Sequence, residues 1–89
     1  MKPYDEQRIV AAAIKHGELV CFVPRPGRHH DVIRKMAAAG FPIPITGIQD
    51  FVTDEGQFVE RRVALGIAEI AGQLLPDKGN GELFSEDIW

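Results

Sequence analysis

Four apolar residues near the N-terminus share one face at the period of an α-helix: Ile9, Val10, Ala13 and Ile14. This pattern predicts a helix from about residue 5 to residue 16, with Asp5 as its N-cap and Gly17 as its C-terminal stop. The next apolar run, residues 18–23, is rich in β-branched and aromatic residues and predicts a short buried strand.

The apolar pattern continues through four more segments. Residues 29–39 predict a second amphipathic helix, and the proline-rich residues 41–45 predict an extended connection. Residues 51–59 have the turn signal Asp-Glu-Gly between two short apolar runs and predict a hairpin. A third helix is predicted over about 60–72, and the chain ends in a C-terminal segment, 83–89.

These elements predict an α+β fold in which three helices pack on a small, mainly antiparallel sheet. The length of 89 residues suits a single compact domain spanning 1–89. No apolar run approaches the roughly 20 residues of a membrane span, so we expect no membrane partner. The single cysteine, Cys21, excludes an intramolecular disulfide and is typical of a cytoplasmic protein.

Charge is distributed unevenly along the chain, whose formal net charge is −3. Residues 1–49 contain seven Lys or Arg and four Asp or Glu, a net of +3, whereas residues 50–89 contain three and nine, a net of −6. An acidic total argues against general nucleic-acid binding, which needs a broad basic surface. A small anionic ligand at a local group of cations is compatible with this balance.

The stretch PRPGRHHDVI, residues 24–33, is the clearest candidate for a site. Arg25 and Arg28 carry guanidinium groups suited to phosphate or carboxylate, and they precede a helix N-terminus, which attracts anions. His29 and His30 begin the helix, whose dipole favours a neutral imidazole able to act as a general base. We therefore predict a phosphorylated ligand here, with His29 and His30 as candidate catalytic residues for a cleavage that needs no metal.

A purely structural interpretation of the same stretch remains open. Asp31 suits the first turn of a helix, and adjacent helical residues point about 100° apart, so His29 and His30 need not share a pocket. Consecutive histidine and aspartate residues rarely converge on one ion, and no spaced set of Cys and His supports them. We expect neither a metal nor a cofactor.

From about residue 18 onward the chain resembles a family of small phage and prophage proteins. The matching motifs are RHHDVI (28–33), FVTDEGQFVERRVALGIAEIAGQ (51–73) and LFSEDIW (83–89). The family pattern differs from this chain at Asp50, Gln57, Arg62 and Val63. The resemblance indicates a lineage and implies no particular activity. Its motifs match the chain at seven polar positions: His29, His30, Arg61, Gln73, Ser85, Glu86 and Asp87.

Two functions follow as hypotheses. In the first, the protein binds, and can cleave, a phosphorylated nucleotide-like ligand in the host cytoplasm and so counters host defence signalling, with Arg25, Arg28 and the matched positions 61, 73 and 85–87 as ligand-binding residues. A small chain encloses little volume, so a homo-oligomer is one expected arrangement. In the alternative, the acidic C-terminal half docks on a basic surface of a host protein and inhibits it.

Overall fold

The computed structural model describes residues 2–45, 47–79 and 81–89, and contains a four-stranded antiparallel sheet and two α-helices. Two short 3-10 turns lie near the ends of the chain. In chain order the elements are a 3-10 turn at Tyr4–Glu6, β1 (Ile9–His16), β2 (Leu19–Pro24), α1 (His29–Ala38), β3 (Ile48–Thr53), β4 (Phe58–Val59), α2 (Arg61–Ile70) and a 3-10 turn at Ser85–Asp87.

The prediction of three helices is wrong, because residues 9–16 form β1 in place of the predicted helix over 5–16. β1 pairs with β2 on one side and β3 on the other, and residues 11–14 are buried on both faces of the sheet. A strand buried on both faces has no polar alternation, so its unbroken apolar run also fits a helical period. Gly17, predicted to end a helix, lies at φ +64° in the turn that joins β1 to β2.

The strand order is β2-β1-β3-β4, and both helices lie on the same face of the sheet, because Ala12 packs under α1 and its cross-strand neighbour Phe51 packs under α2. Across the register Ala12 opposes Phe51 and Ile14 opposes Cys21, and these residues belong to the helix-covered face. The α+β class is therefore correct, with two helices on an antiparallel sheet.

The core consists of two groups of side chains, one under each helix. The group under α2 also includes Leu83 and Ile88 from the C-terminal segment, so that segment is part of the core. The group under α1 includes Val32 and Met36, with Cys21 at its margin. Phe51 lies fully buried in the first group and also contacts the start of α1 through the His29 ring. The two helices and the C-terminal segment are consequently held around one side of β3.

One outer edge of the sheet is β2, and a lysine from α1 lies over it. Lys35 Nζ donates a hydrogen bond to the main-chain oxygen of Phe22 at 3.1 Å and lies 5.7 Å from the centre of the Phe22 ring. The ring itself is 49% exposed. Lys35 thus places a positive charge on this edge of the sheet.

Within the part of the chain that the structure describes, no helix has the length and apolar character needed to cross a membrane. The longer helices, α1 and α2, have 10 residues each.

Candidate functional site

The loop before α1 is fixed by short hydrogen bonds. The N–H of Gly27 donates to the main-chain oxygen of Pro24 at 2.9 Å, and a Cβ at position 27 would lie 2.6 Å from a methyl carbon of Val23. Only glycine therefore fits this turn without a shift. The main-chain N–H of Arg28 donates to the Asp31 carboxylate at 2.8 Å, which begins α1 and lowers the pKa of Asp31.

The C-terminal segment docks on this loop. Trp89 Nε1 donates to the main-chain oxygen of Gly27 at 2.7 Å, and the Arg28 guanidinium donates to the main-chain oxygen of Trp89 through Nε and Nη2. Ser85 Oγ lies 3.4 Å from the main-chain N–H of His29, which donates to it. The loop before α1 and the C-terminal segment, more than 50 positions apart in sequence, thereby lie side by side.

His29 is buried, with 7% of its surface exposed. Its Nε2 lies 2.7 Å from the main-chain oxygen of Asp50, and its ring packs edge-on against Phe51 with centroids 4.9 Å apart. Burial lowers the pKa of His29, and the nearby Arg61 charge lowers it further, while the Asp50 carbonyl opposes both effects. The neutral ring therefore donates its Nε2–H to Asp50 and ties α1 to β3.

We expect the free energy of unfolding to fall as the pH drops below about 6.5, the ordinary pKa of histidine. Between that value and the lowered pKa of folded His29, the unfolded chain binds a proton that the folded chain does not. Urea unfolding at several values between pH 8 and pH 5 measures the slope of the free energy of unfolding against pH. The difference in the free energy of unfolding between wild type and His29→Gln should narrow as the pH falls. An unchanged slope in His29→Gln would show that another group is responsible.

His30 differs from His29 in being exposed, with 60% of its side chain accessible. Its Nε2 lies 3.5 Å from the Asp31 carboxylate, which also has Arg34 at 3.7 Å. His30 is therefore free to meet a ligand without disturbing the core, and the two adjacent histidines have different environments.

Arg61 begins α2 and reaches across to the C-terminal segment. Its Nη1 donates to the main-chain oxygen of Leu83 at 2.6 Å, and its Nη2 lies 3.5 Å from Gln49 Oε1. The guanidinium carbon lies 4.8 Å from the centre of the Phe84 ring. These contact groups are uncharged, so they position the guanidinium without neutralising it. Burial raises the pKa of Asp50, and a hydrogen bond from the Arg61 main chain and the Arg61 charge both oppose that rise.

A cavity of about 260 Å³ lies between the start of α1, the start of β3 and the C-terminal segment. It gathers six of the residues predicted from the sequence, three from α1 and its N-cap, one from α2 and two from the final turn. Its lining is Arg28, His29, His30, Ile33, Gln49, Arg61, Phe84, Ser85 and Glu86. Both predicted catalytic histidines therefore border one space, together with two arginines.

An open groove of about 660 Å³ adjoins this cavity, and both are lined by Gln49 and Arg61. Arg62 adds a second guanidinium to the groove, while Asp50, Glu60 and Glu82 add three carboxylates. Arg61 thus lies at the boundary between a small cavity and a larger, more open space.

Three predicted ligand-binding residues do not line the cavity. Arg25 is exposed in the preceding loop. Gln73 instead pairs with the main chain of Ile9, accepting from its N–H and donating to its oxygen, both at 2.8 Å. Asp87 is buried and accepts a hydrogen bond from the main-chain N–H of Phe84 at 2.9 Å. Gln73 and Asp87 thus make main-chain contacts within the fold.

Sequence reasoning did not identify Ile33, Gln49 and Phe84 as lining residues. Ile33 is an apolar residue of an amphipathic helix, which indicates a core position, and Phe84 is 46% exposed, which no local pattern indicates. Gln49 precedes the predicted hairpin and approaches the cavity only because β3 begins at Ile48. In the described part of the chain, no three His, Cys, Asp or Glu side chains form a group that could hold a metal ion.

Comparison with known proteins supports one of the expectations above. A family model described as "Phage T4 y16D protein" matches residues 8–89. This match confirms the predicted relation to small phage proteins, and it extends over β1, which the sequence motifs did not include. Neither the curated proteins nor the solved structures gave a match.

Proposed function

Because the chain belongs to the phage T4 y16D protein family, we propose that it is a phage accessory protein that binds a phosphorylated, nucleotide-like ligand in the cavity and its adjoining groove. The observation that carries this proposal is the convergence of Arg28, His30 and Arg61 from two separate helix starts on one cavity. Guanidinium groups bind phosphate in a bidentate manner, and cations gathered in a partly enclosed site attract an anion strongly.

The dimensions suggest how such a ligand would be divided between the two spaces. About 260 Å³ is below the 300–1,000 Å³ typical of sites that enclose a whole drug-sized ligand. The cavity therefore suits one part of a ligand, with the remainder in the groove of about 660 Å³. Arg61 borders both spaces and is the group best placed to contact a phosphate between them.

We propose binding as the primary activity, since His29 Nε2 is already engaged with the Asp50 carbonyl. His30 has no such burial and is the residue we assign to contact with the phosphate or to proton transfer. Cleavage by His29 and His30 stays a prediction, and chromatography of an incubated ligand tests it. Sequestration of a host signalling nucleotide is the biological role that we propose for the site.

Docking of the acidic C-terminal half on a host protein is the alternative proposal. Several carboxylates of that half have partners inside the molecule, since Asp54 pairs with Lys2 at 2.9 Å and Asp87 is buried. The exposed residues that would supply the docking surface are Glu60, Glu69, Asp77, Glu82 and Glu86. We give the ligand site precedence because its polar side chains converge on one cavity.

Thermal shift with a panel of nucleoside monophosphates and the matching nucleosides tests the primary proposal. At a hundredfold excess over Kd a ligand stabilises the folded chain by about 2.7 kcal/mol, which raises Tm by several degrees in a domain of this size. We expect this rise for a phosphorylated ligand and a smaller one for its nucleoside. Arg61→Lys should weaken binding about tenfold, because one ammonium replaces the planar fork, while Arg34→Lys should bind as wild type. A panel without any shift would overturn the proposal.

A further inference from the structure

The cavity has an apolar part that a phosphate alone would not use. Phe84 and Ile33 both contribute to the lining, and Phe84 retains 46% of its surface exposed although its ring lies against Arg61. An exposed aromatic ring backed by a guanidinium is a surface on which a flat heterocycle stacks. The cavity therefore suits a planar ring against Phe84, with the phosphate at Arg61, where the cavity and the groove meet.

Two polar side chains of the cavity lining, Glu86 and Gln49, differ in the hydrogen bonds that they can form with a base. Glu86 provides a carboxylate, which when ionised only accepts hydrogen bonds. Gln49 accepts from Arg61 through Oε1, so its amide NH2 is the group that can donate to a ligand. A base that matches these groups needs adjacent donors for the carboxylate and a carbonyl oxygen for the amide.

Guanine is the nucleobase with that arrangement. Its N1–H and N2–H2 are neighbouring donors that a carboxylate binds in bidentate fashion, and O6 is an acceptor beside them. Adenine places the acceptor N1 at the same edge, so the carboxylate would face a lone pair and lose a hydrogen bond. Uracil offers a single donor between two acceptors, and cytosine offers an amine donor at one end of an edge whose other two groups are acceptors, so neither has two adjacent donor positions for the carboxylate.

Resting on the proposed function, we propose that this site selects guanine nucleotides, with the base stacked on Phe84, its Watson–Crick edge bound by Glu86, and its phosphate at Arg61. The site discriminates through a single carboxylate, which makes the assignment testable by one conservative substitution. Glu86 is exposed and is not among the residues of the core under α2.

Isothermal titration with GMP, IMP and AMP as probes tests this assignment. A good bidentate pair with a base is worth about 1–3 kcal/mol, so we expect GMP to bind about 5-fold to 150-fold more tightly than AMP. IMP keeps N1–H and lacks the N2 amine, and should fall between the two. Glu86→Gln should weaken GMP binding about tenfold and strengthen AMP binding, because the glutamine amide can donate an N–H to adenine N1. Glu69→Gln removes an exposed carboxylate from the far end of α2 and is the matched control.

The outcomes separate this inference from the proposed function. Loss of the GMP preference in Glu86→Gln together with its retention in Glu69→Gln supports the assignment. Equal affinities for GMP and AMP in the wild type, or a GMP preference that survives Glu86→Gln, would overturn it while nucleotide binding itself stands. Absence of binding by all three probes would overturn the ligand site as a whole.

Discussion

Replacement of Phe51 by alanine is expected to lower the free energy of unfolding by about 3–5 kcal/mol, the largest effect of any substitution considered for this protein. Phe51 is fully buried in the core under α2. Its ring also contacts the His29 ring, with centroids 4.9 Å apart, and lies 5.9 Å from the Arg61 guanidinium carbon. The substitution removes buried apolar contacts from the core and also the ring that packs against His29 and lies near Arg61, two residues of the cavity lining. We therefore expect ligand binding to be lost as the free energy of unfolding falls. Urea unfolding followed by circular dichroism measures the change.

Phe22→Ala is the matched control for this prediction. Phe22 also lies on a strand, but 49% of its surface is exposed and it belongs to neither core group. Its loss should cost about 1 kcal/mol or less, since little apolar surface returns to water. If the two variants lost similar amounts of the free energy of unfolding, this would mean that Phe51 does not link the core under α2 to the start of α1.

Gln73→Ala should be the second most damaging substitution, with an expected loss of about 2–4 kcal/mol. Its amide completes the hydrogen bonding of Ile9, a fully buried residue next to the irregularity in β1 between Ile9 and Ala11. Removing the amide leaves the Ile9 N–H and carbonyl without these partners, and because both bonds are only partly buried each loss costs about 1–2 kcal/mol, in the lower part of the range for buried groups. Hydrogen exchange at the Ile9 amide is the direct measurement, because protection there should fall more than at the centre of the sheet.

Two further variants separate hydrogen bonding from packing. Gln73→Met keeps a side chain of similar length without polar atoms, and should be nearly as destabilised as the alanine variant if the hydrogen bonds dominate. Gln49→Ala removes an amide whose contact with Arg61 is 3.5 Å long, and should cost less than about 1 kcal/mol. Full stability of Gln73→Met would show that Gln73 contributes through packing alone.

The helices α1 and α2 could be predicted from the sequence, because their polar residues mark the side that faces solvent. Strand β1 could not be predicted in this way. Polar residues accompany the apolar stripe of α1 and α2, which begin at His29 and Arg61, close to the predicted starts. In β1 the residues from Ile9 to Ile14 are all apolar, so helix and central strand give the same pattern over that length. Only the partners on both sides, β2 and β3, decide in favour of a strand, and these are tertiary facts.

For the site, local sequence identified charged and polar residues but not their roles. Adjacent residues His29 and His30 have the same side chain, and the difference between a buried and an exposed ring depends on Asp50 and Phe51, which lie 21 and 22 positions further along the chain. Gln73 matched the family motif and was assigned to a ligand, yet its partner Ile9 is 64 positions away. The sequence therefore indicated which residues are candidates for the site, whereas it could not indicate their contacts with residues so far away along the chain.

The lysine over strand β2 has a consequence for the behaviour of concentrated solutions. Exposed strand edges recruit strands from other molecules and begin aggregation, and a positive charge at the edge opposes this. A strand that added to β2 would have to displace Lys35 from the Phe22 carbonyl and ring, or trap its ammonium away from water. At the opposite edge, β4 has only two residues and offers little length for pairing. The sheet is thereby protected at both ends against growth into fibrils.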